Sequence, residues 1–195
     1  MTTPESKPGR QPVAVAFLGG VLLLGGAGTW GIVGKWESGG QQHLTVYADR
    51  LAGGLPTVCD GLTRHVTSTP IIVGETWTAE KCAAEEQAAM VKVQRQLLRC
   101  FTRLPPQSVF DAASSHAWNV GAPNTCSSGA MAAWNAGQWE RGCQRIALSD
   151  TGRPVWSSVR TGRTLPNGQP EFRFVQGLFN RRQDEVRWCL TGVTP

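Results

Sequence analysis

The sequence predicts an α+β fold: an N-terminal apolar helix, then a small β-hairpin, then a mainly helical body. Three observations carry this. Leu44–Tyr47 and Leu55–Cys59 have strand composition and flank the turn-forming stretch Asp49–Gly54, which is a hairpin pattern. From Thr78 onward the apolar spacing is helical, with Thr78 set as an N-cap before Ala79, Glu80 and Lys81. Ahead of both, Val13–Val33 is an uncharged apolar run of 21 residues, and the acidic Glu37 follows four positions later.

Taken as a helix at about 1.5 Å per residue, that run is long enough to cross a hydrocarbon core. Six of its residues are Gly and three are Ala, which makes it a weak anchor. Glycine costs a helix interior roughly 1 kcal/mol relative to alanine. Three fates are open: insertion followed by release, permanent anchoring, or cleavage as a signal peptide near Ala27-Gly28-Thr29. Release is the expectation. The run exceeds a usual signal-peptide core and continues through Trp30, Ile32 and Val33, yet holds only eleven large apolar residues. All three fates leave Lys7 and Arg10 in the cytoplasm and export everything after Lys35. The expected organisation is a cytoplasmic leader (1–12), a releasable membrane segment (13–34) and one compact domain (35–195).

Within that domain, helix formers run from Thr78 to about Arg103, where Pro105-Pro106 ends them. Ala83, Gln87, Met90, Val91 and Leu97-Leu98 supply part of an apolar face, with Glu85, Glu86, Lys92 and Arg95 on the wet side. From Ala112 to Trp139 there is no formally charged side chain. Breaks at Gly121-Ala122-Pro123 and Gly129 divide this stretch into short buried helices, the core of a helical lobe. Trp139–Leu148 continues as helix, Asp150–Gln169 reads as loop, and Phe174–Leu190 closes the chain as a basic amphipathic helix with Arg181, Arg182 and Arg187.

The six cysteines, Cys59, Cys82, Cys100, Cys126, Cys143 and Cys189, all lie beyond the apolar run, which points to disulfides in an oxidising compartment. Their wide spacing argues against zinc, as does the lack of a metal-binding pattern among His43, His65 and His116. No metal or other cofactor is expected, and His116 reads as a core histidine. The net charge is +5 with a pI near 9.1, and the excess sits at the C-terminal end. That end is either an ordinary solvated face or a surface for polyanionic cell-wall polymer or lipid. No nucleic-acid signature is present.

Four local patterns, in order, resemble the phage lysozymes of glycoside hydrolase family 24, specifically the signal-arrest-release endolysins. They are Trp36-Glu37, then Tyr47-Ala48-Asp49 with Thr57-Val58-Cys59-Asp60-Gly61-Leu62-Thr63, then Trp118-Asn119-Val120-Gly121, and finally Gly177-Leu178 with Arg181-Arg182 and Glu185. The resemblance implies a lysozyme-like fold of a small hairpin lobe and a larger helical lobe. It implies a monomeric endolysin, a muramidase that hydrolyses the β-1,4 bond between N-acetylmuramic acid and N-acetylglucosamine of peptidoglycan. The chain would wait in the inner membrane, N-terminus in and C-terminus out, before release to the periplasm.

By the same resemblance Glu37 is the general acid, Asp49 remains ionised and positions or activates water, and Thr57 holds that water. Asn119 would bind a substrate acetamido group, or else serve as a helix cap. The disulfides implied are Cys59–Cys82, Cys100–Cys126 and Cys143–Cys189. The chain departs from the family in its longer intervals from Glu37 to Asp49 and from Asp49 to Thr57, which lengthen Ser38–His43 and Arg50–Pro56. Thr63 or Asp60 could then face the cleft in place of Thr57. The alternatives from the sequence are a membrane-anchored peptidoglycan-binding module without hydrolytic activity, and a lytic transglycosylase that uses Glu37 alone.

Overall fold

The computed structural model describes residues 10–37, 42–50 and 53–193. Lys7, most of the lengthened Ser38–His43 loop and two positions of the lengthened hairpin turn lie outside the described residues.

The apolar run is not one helix, contrary to the sequence expectation. It folds as a tight antiparallel hairpin, β1 (Val13–Phe17) and β2 (Gly20–Leu24), followed by helix α1 (Ala27–Glu37). Leu18 and Gly19 make the connection with φ of 46° and 85°, the left-handed pair that a two-residue hairpin turn requires. Strand alternation then puts Val15, Phe17, Leu22 and Leu24 on the inner face, while Ala14, Ala16, Val21 and Leu23 face outward. Leu22 and Leu24 enter the main hydrophobic core. The glycines that weaken a long helix here allow the turns that break it into three pieces. Among the described residues, no helix is long and apolar enough to cross a membrane.

The hairpin lobe follows as a three-stranded antiparallel sheet, β3 (His43–Asp49), β4 (Leu55–Cys59) and β5 (Leu62–Thr63), in that spatial order. Val46, Val58 and Leu62 pack beneath it with Trp77 and Cys82. The long helix α2 (Ala79–Leu98) starts where Thr78 Oγ1 accepts from Lys81 N at 3.1 Å, and its apolar face runs from this small core to the large one.

The helical lobe contains α3 (Gln107–Val120), α4 (Ala122–Cys126), α5 (Gly129–Asn135) and α6 (Trp139–Gln144). Helix α3 is buried from Val109 through Ala117, which explains the absence of charge over most of that sequence: other elements surround it. The stretch Asp150–Gln169, read as loop, instead contains strand β6 (Ser158–Thr164), which pairs with β7 (Pro170–Phe174) as a protruding ribbon. Its residues alternate poorly in hydrophobicity because nearly all of them are exposed, so no period-2 signal marks them. Helix α7 (Gln176–Leu190) closes the chain. It is amphipathic, as its sequence suggests, but its buried face carries two of the cations: Arg181 and Arg182 are buried and only Arg187 of the three is exposed.

Three disulfides fasten these parts, each with Cα atoms 5.6 Å apart: Cys59–Cys82, Cys100–Cys126 and Cys143–Cys189. The first two grip opposite ends of α2, and the third joins α6 to α7. Removing one from a small exported domain typically costs about 2–5 kcal/mol.

Candidate active site

Glu37 is the last residue of α1, and a set of buried polar contacts fixes that helix. Thr29 Oγ1 donates to Asp111 Oδ1 on α3 at 2.8 Å, and Trp30 Nε1 donates to Gln87 Oε1 on α2 at 2.8 Å. Gln94 Nε2 donates to Thr29 Oγ1 at 3.2 Å and to Ser114 Oγ at 2.9 Å, so three helices share one network. Burial pushes the Asp111 carboxyl above its usual range, opposed by hydrogen bonds from Gln107, Thr29 and Trp188.

At the end of α1, Glu37 Oε1 accepts from Arg181 Nη1 at 2.5 Å, with about a fifth of its side chain open to solvent. Arg181 is held in turn. Its Nε lies 3.4 Å from Glu185 Oε1 and its Nη2 lies 3.4 Å from Ser115 O. Glu185 is fully buried and also accepts from Arg182 Nη2 and Ser115 Oγ, each at 2.8 Å. Burial raises the Glu185 carboxyl, against the two guanidiniums, and lowers Arg182 to about 10, still protonated at neutral pH. The acid therefore rests on an arginine whose own position is over-determined.

The hairpin lobe presents the other candidates on one face. Tyr47 lies opposite Thr57, Thr57 opposite Thr63, and Asp49 opposite Leu55, so Tyr47, Asp49, Thr57 and Thr63 project to the same side of the sheet. Thr57 is buried and its hydroxyl donates to Leu55 O at 3.0 Å. Burial raises the Tyr47 phenol, and the charges of Asp49 and Glu37 raise it further, so both carboxylates act on this one ring. Gly61, at φ 85° in the β4–β5 turn, comes so close that a Cβ there would stand 3.0 Å from Glu37 Oε2. The structure thus brings Glu37 against the lobe that carries Asp49 and Thr57. A family model described as phage lysozyme matches residues 36–185.

The chain belongs to the phage lysozyme family.

Similar solved structures agree in fold with this member of the phage lysozyme family. An endolysin from Escherichia coli O157:H7 phage FAHEc1 is 22% identical with a TM-score of 0.67, covering 86% of this chain and 94% of its own. The muramidase domain of SpmX from Asticaccaulis excentricus is 21% identical with a TM-score of 0.63, covering 85% and 95%. A P22 lysozyme variant is 19% identical with a TM-score of 0.61, covering 85% and 97%. No curated protein matches the chain by sequence.

Of the other residues singled out from the sequence, Thr63 shares the sheet face, whereas Asp60, Asn119 and His116 fall outside this constellation in the lysozyme-family fold. Asp60 does not face the cleft. It is fully buried, its Oδ2 is 3.1 Å from Arg10 Nη2, and its backbone N donates to Glu86 Oε1 at 2.5 Å. Thr63 stays beside Thr57. Asn119 is exposed on the last turn of α3, next to Trp118, whose ring meets Trp30 edge-on at 5.9 Å. His116 is a core residue, with Nδ1 2.8 Å from Thr125 Oγ1 and its ring edge-on to Trp156 at 5.3 Å. Among the described residues, no group of three or more His, Cys, Asp or Glu side chains is placed to hold a metal.

Sequence reasoning missed the service that Arg181 performs, although the spacing of Arg181, Arg182 and Glu185 on one helix was a visible signal for internal ion pairing. It also missed Arg10. Read as a cytoplasmic leader charge, Arg10 is buried in this fold, where it bonds Glu86 Oε2, approaches Asp60, and lies 3.8 Å over the Trp30 ring. No local pattern marks a cation whose partners are 50 and 76 positions away.

His116 carries a pH prediction. Burial, then the charges of Arg182 and Arg181, hold its pKa well below the ordinary imidazole value of 6.5. Below that value the unfolded chain takes up a proton that the native ring refuses, so stability contributed by neutral His116 is present above 6.5 and lost as pH falls. The expected slope is up to about 1.4 kcal/mol per pH unit. Urea unfolding between pH 7 and pH 5 should show this slope in wild type and a flatter one in His116→Gln.

Proposed function

We propose that this chain is an endolysin, a muramidase that hydrolyses the β-1,4 bond between N-acetylmuramic acid and N-acetylglucosamine of peptidoglycan. The observation that carries the reading is Glu37, fixed by Arg181 and set against a sheet face that holds Asp49 and Thr57. Membership of the phage lysozyme family supports it. Glu37 gives its proton to the leaving glycosidic oxygen as the bond to the anomeric carbon breaks. Water supplies the new bond to that carbon and loses a proton to Asp49. Because the Thr57 hydroxyl donates its hydrogen to Leu55 O, its oxygen is left to accept. A water between Asp49 and Thr57 then has both hydrogens engaged and a lone pair free for the sugar.

Product analysis tests this against a lytic transglycosylase. Purified sacculi should yield fragments with new reducing ends; anhydro-sugar ends would replace water as nucleophile and overturn the assignment. Gly61→Ala serves as a geometric check. The added methyl meets Glu37 Oε2 and forces a left-handed backbone on alanine. Turnover should fall by on the order of tenfold or more, with an unfolding cost of about 1 kcal/mol, measured by reducing-end release and by urea titration.

Residues 13–33 supply the proposed control. Inserted in the inner membrane with the N-terminus inside, they cannot also form β1, β2 and the start of α1, so Glu37 has no support. Release to the periplasm would let the segment take its place in a monomeric enzyme. Membrane depolarisation should move the full-length chain from the membrane to the soluble periplasmic fraction, and a pool that stays membrane-bound would overturn the release step.

A further inference from the structure

The β6–β7 ribbon carries chemistry that Glu37, Asp49 and Thr57 do not use. It is tied down at its foot, where Val175 N donates to Ser157 O at 2.8 Å and Phe174 packs on Phe179 of α7 at 5.9 Å between ring centroids. Beyond the foot it stands in solvent, with every residue of β6 exposed. Phe172 and Phe174 are 55% and 47% exposed, so about half of each ring is left as apolar surface in solvent. Arg160 lies opposite Phe172, with its guanidinium 5.8 Å from the ring centroid, and Arg173 lies opposite Val159. These two arginines and Arg163 line an open concavity of about 730 Å³. The one carboxylate there, Glu171, accepts from Thr161 Oγ1 at 2.5 Å. Among the described residues, none of the three arginines has a carboxylate within ion-pair distance, so the ribbon offers three cations without a carboxylate partner beside two half-bare aromatic rings.

We propose that the β6–β7 ribbon is a second binding arm of the enzyme, in which Arg160, Arg163 and Arg173 take carboxylates on the acidic peptide branches of the cell-wall glycan. The inference rests on the reading of Glu37 as the acid of a peptidoglycan hydrolase. Guanidinium forks match carboxylates in two-point contacts, and a phenylalanine face suits the C–H face of a sugar or an apolar branch residue. Place favours this occupant over a lipid surface. The ribbon runs directly into α7, and Arg181, which holds Glu37, lies six residues past Val175, about 9 Å along the helix axis. The foot of the ribbon and the arginine on Glu37 therefore share one helix, within reach of a single extended polymer.

The test uses the full-length chain and a triple variant, Arg160→Gln with Arg163→Gln and Arg173→Gln, on intact sacculi and on glycan strands stripped of peptide by an amidase. The variant should raise KM on sacculi by on the order of tenfold. Its kcat, its unfolding midpoint and its KM on stripped glycan should match wild type. Equal change on both substrates, or no change on either, overturns the arm. Should wild type itself release no reducing ends, the hydrolase reading fails, and co-sedimentation with sacculi then decides the ribbon: undiminished binding by the triple variant overturns it. A variant that loses binding to phosphatidylglycerol vesicles but keeps its binding to sacculi assigns the ribbon to lipid and overturns the proposal equally.

Discussion

Glu37→Gln is expected to abolish clearing of outer-membrane-permeabilised cells while leaving the fold intact. The substitution keeps an acceptor oxygen for Arg181 Nη1 and keeps the side chain's shape against Gly61, so the structural role of the position survives. What it removes is the proton that the proposed mechanism delivers to the leaving oxygen. General acid catalysis is worth about 10²–10⁴-fold, and turbidity clearance should fall by at least that much with an unchanged urea midpoint. Full lytic activity in the variant would end the assignment of Glu37. Glu37→Asp is informative beside it: the acid remains but is drawn back from the sugar toward α1, and an intermediate rate is expected.

The second large effect is on stability. Arg10→Met should destabilise the fold by about 3–5 kcal/mol, because it leaves Glu86 and Asp60 close together in the interior without the cation that offsets them. Burial already raises the Glu86 carboxyl, with the Arg10 charge as the leading opposing influence, so losing Arg10 raises it further. A carboxyl with a raised folded pKa stabilises fully below its unfolded value and loses that contribution as pH rises through the folded one. The deficit of Arg10→Met should therefore be small near pH 4.5 and grow toward neutrality, measured by urea unfolding across that range. Adding Glu86→Gln should recover much of it. A deficit independent of pH would show that Arg10 matters only through its packing on Trp30.

The parts of this protein that sequence reveals are those whose signal is local. The β3–β4 hairpin was legible from Leu44–Tyr47, Asp49–Gly54 and Leu55–Cys59, and the long helix from the Thr78 cap and the Pro105-Pro106 stop. The uncharged stretch around α3 correctly announced a buried element. Where the signal is relational, it failed. Apolar content in Val13–Val33 could not distinguish a spanning helix from a hairpin with its inner face on the core, because both accept an uninterrupted apolar run even though the hairpin leaves Val21 and Leu23 facing outward; the Leu18–Gly19 turn decided it. The exposed ribbon had no period to read. For the site, Glu37, Asp49 and Thr57 were named through family resemblance, and the structure adds their surroundings: Arg181 from α7 on Glu37, Gly61 of the β4–β5 turn close to it, and the Tyr47 phenol raised by the charges of both acids.

The support of α1 and its preceding hairpin has a kinetic side. Leu23 N and Gly25 N bond Gln107 and Gln94, and Trp30 bonds Gln87, so the first described segment of the chain closes against partners 57 to 84 residues later. Contacts of such separation form late, after the loop between them has been made and compacted. A chain synthesised from its N-terminus therefore holds residues 13–33 without their full set of distant partners until Gln107 exists. Any environment that competes for that segment acts first, and the native fold can claim it only afterwards.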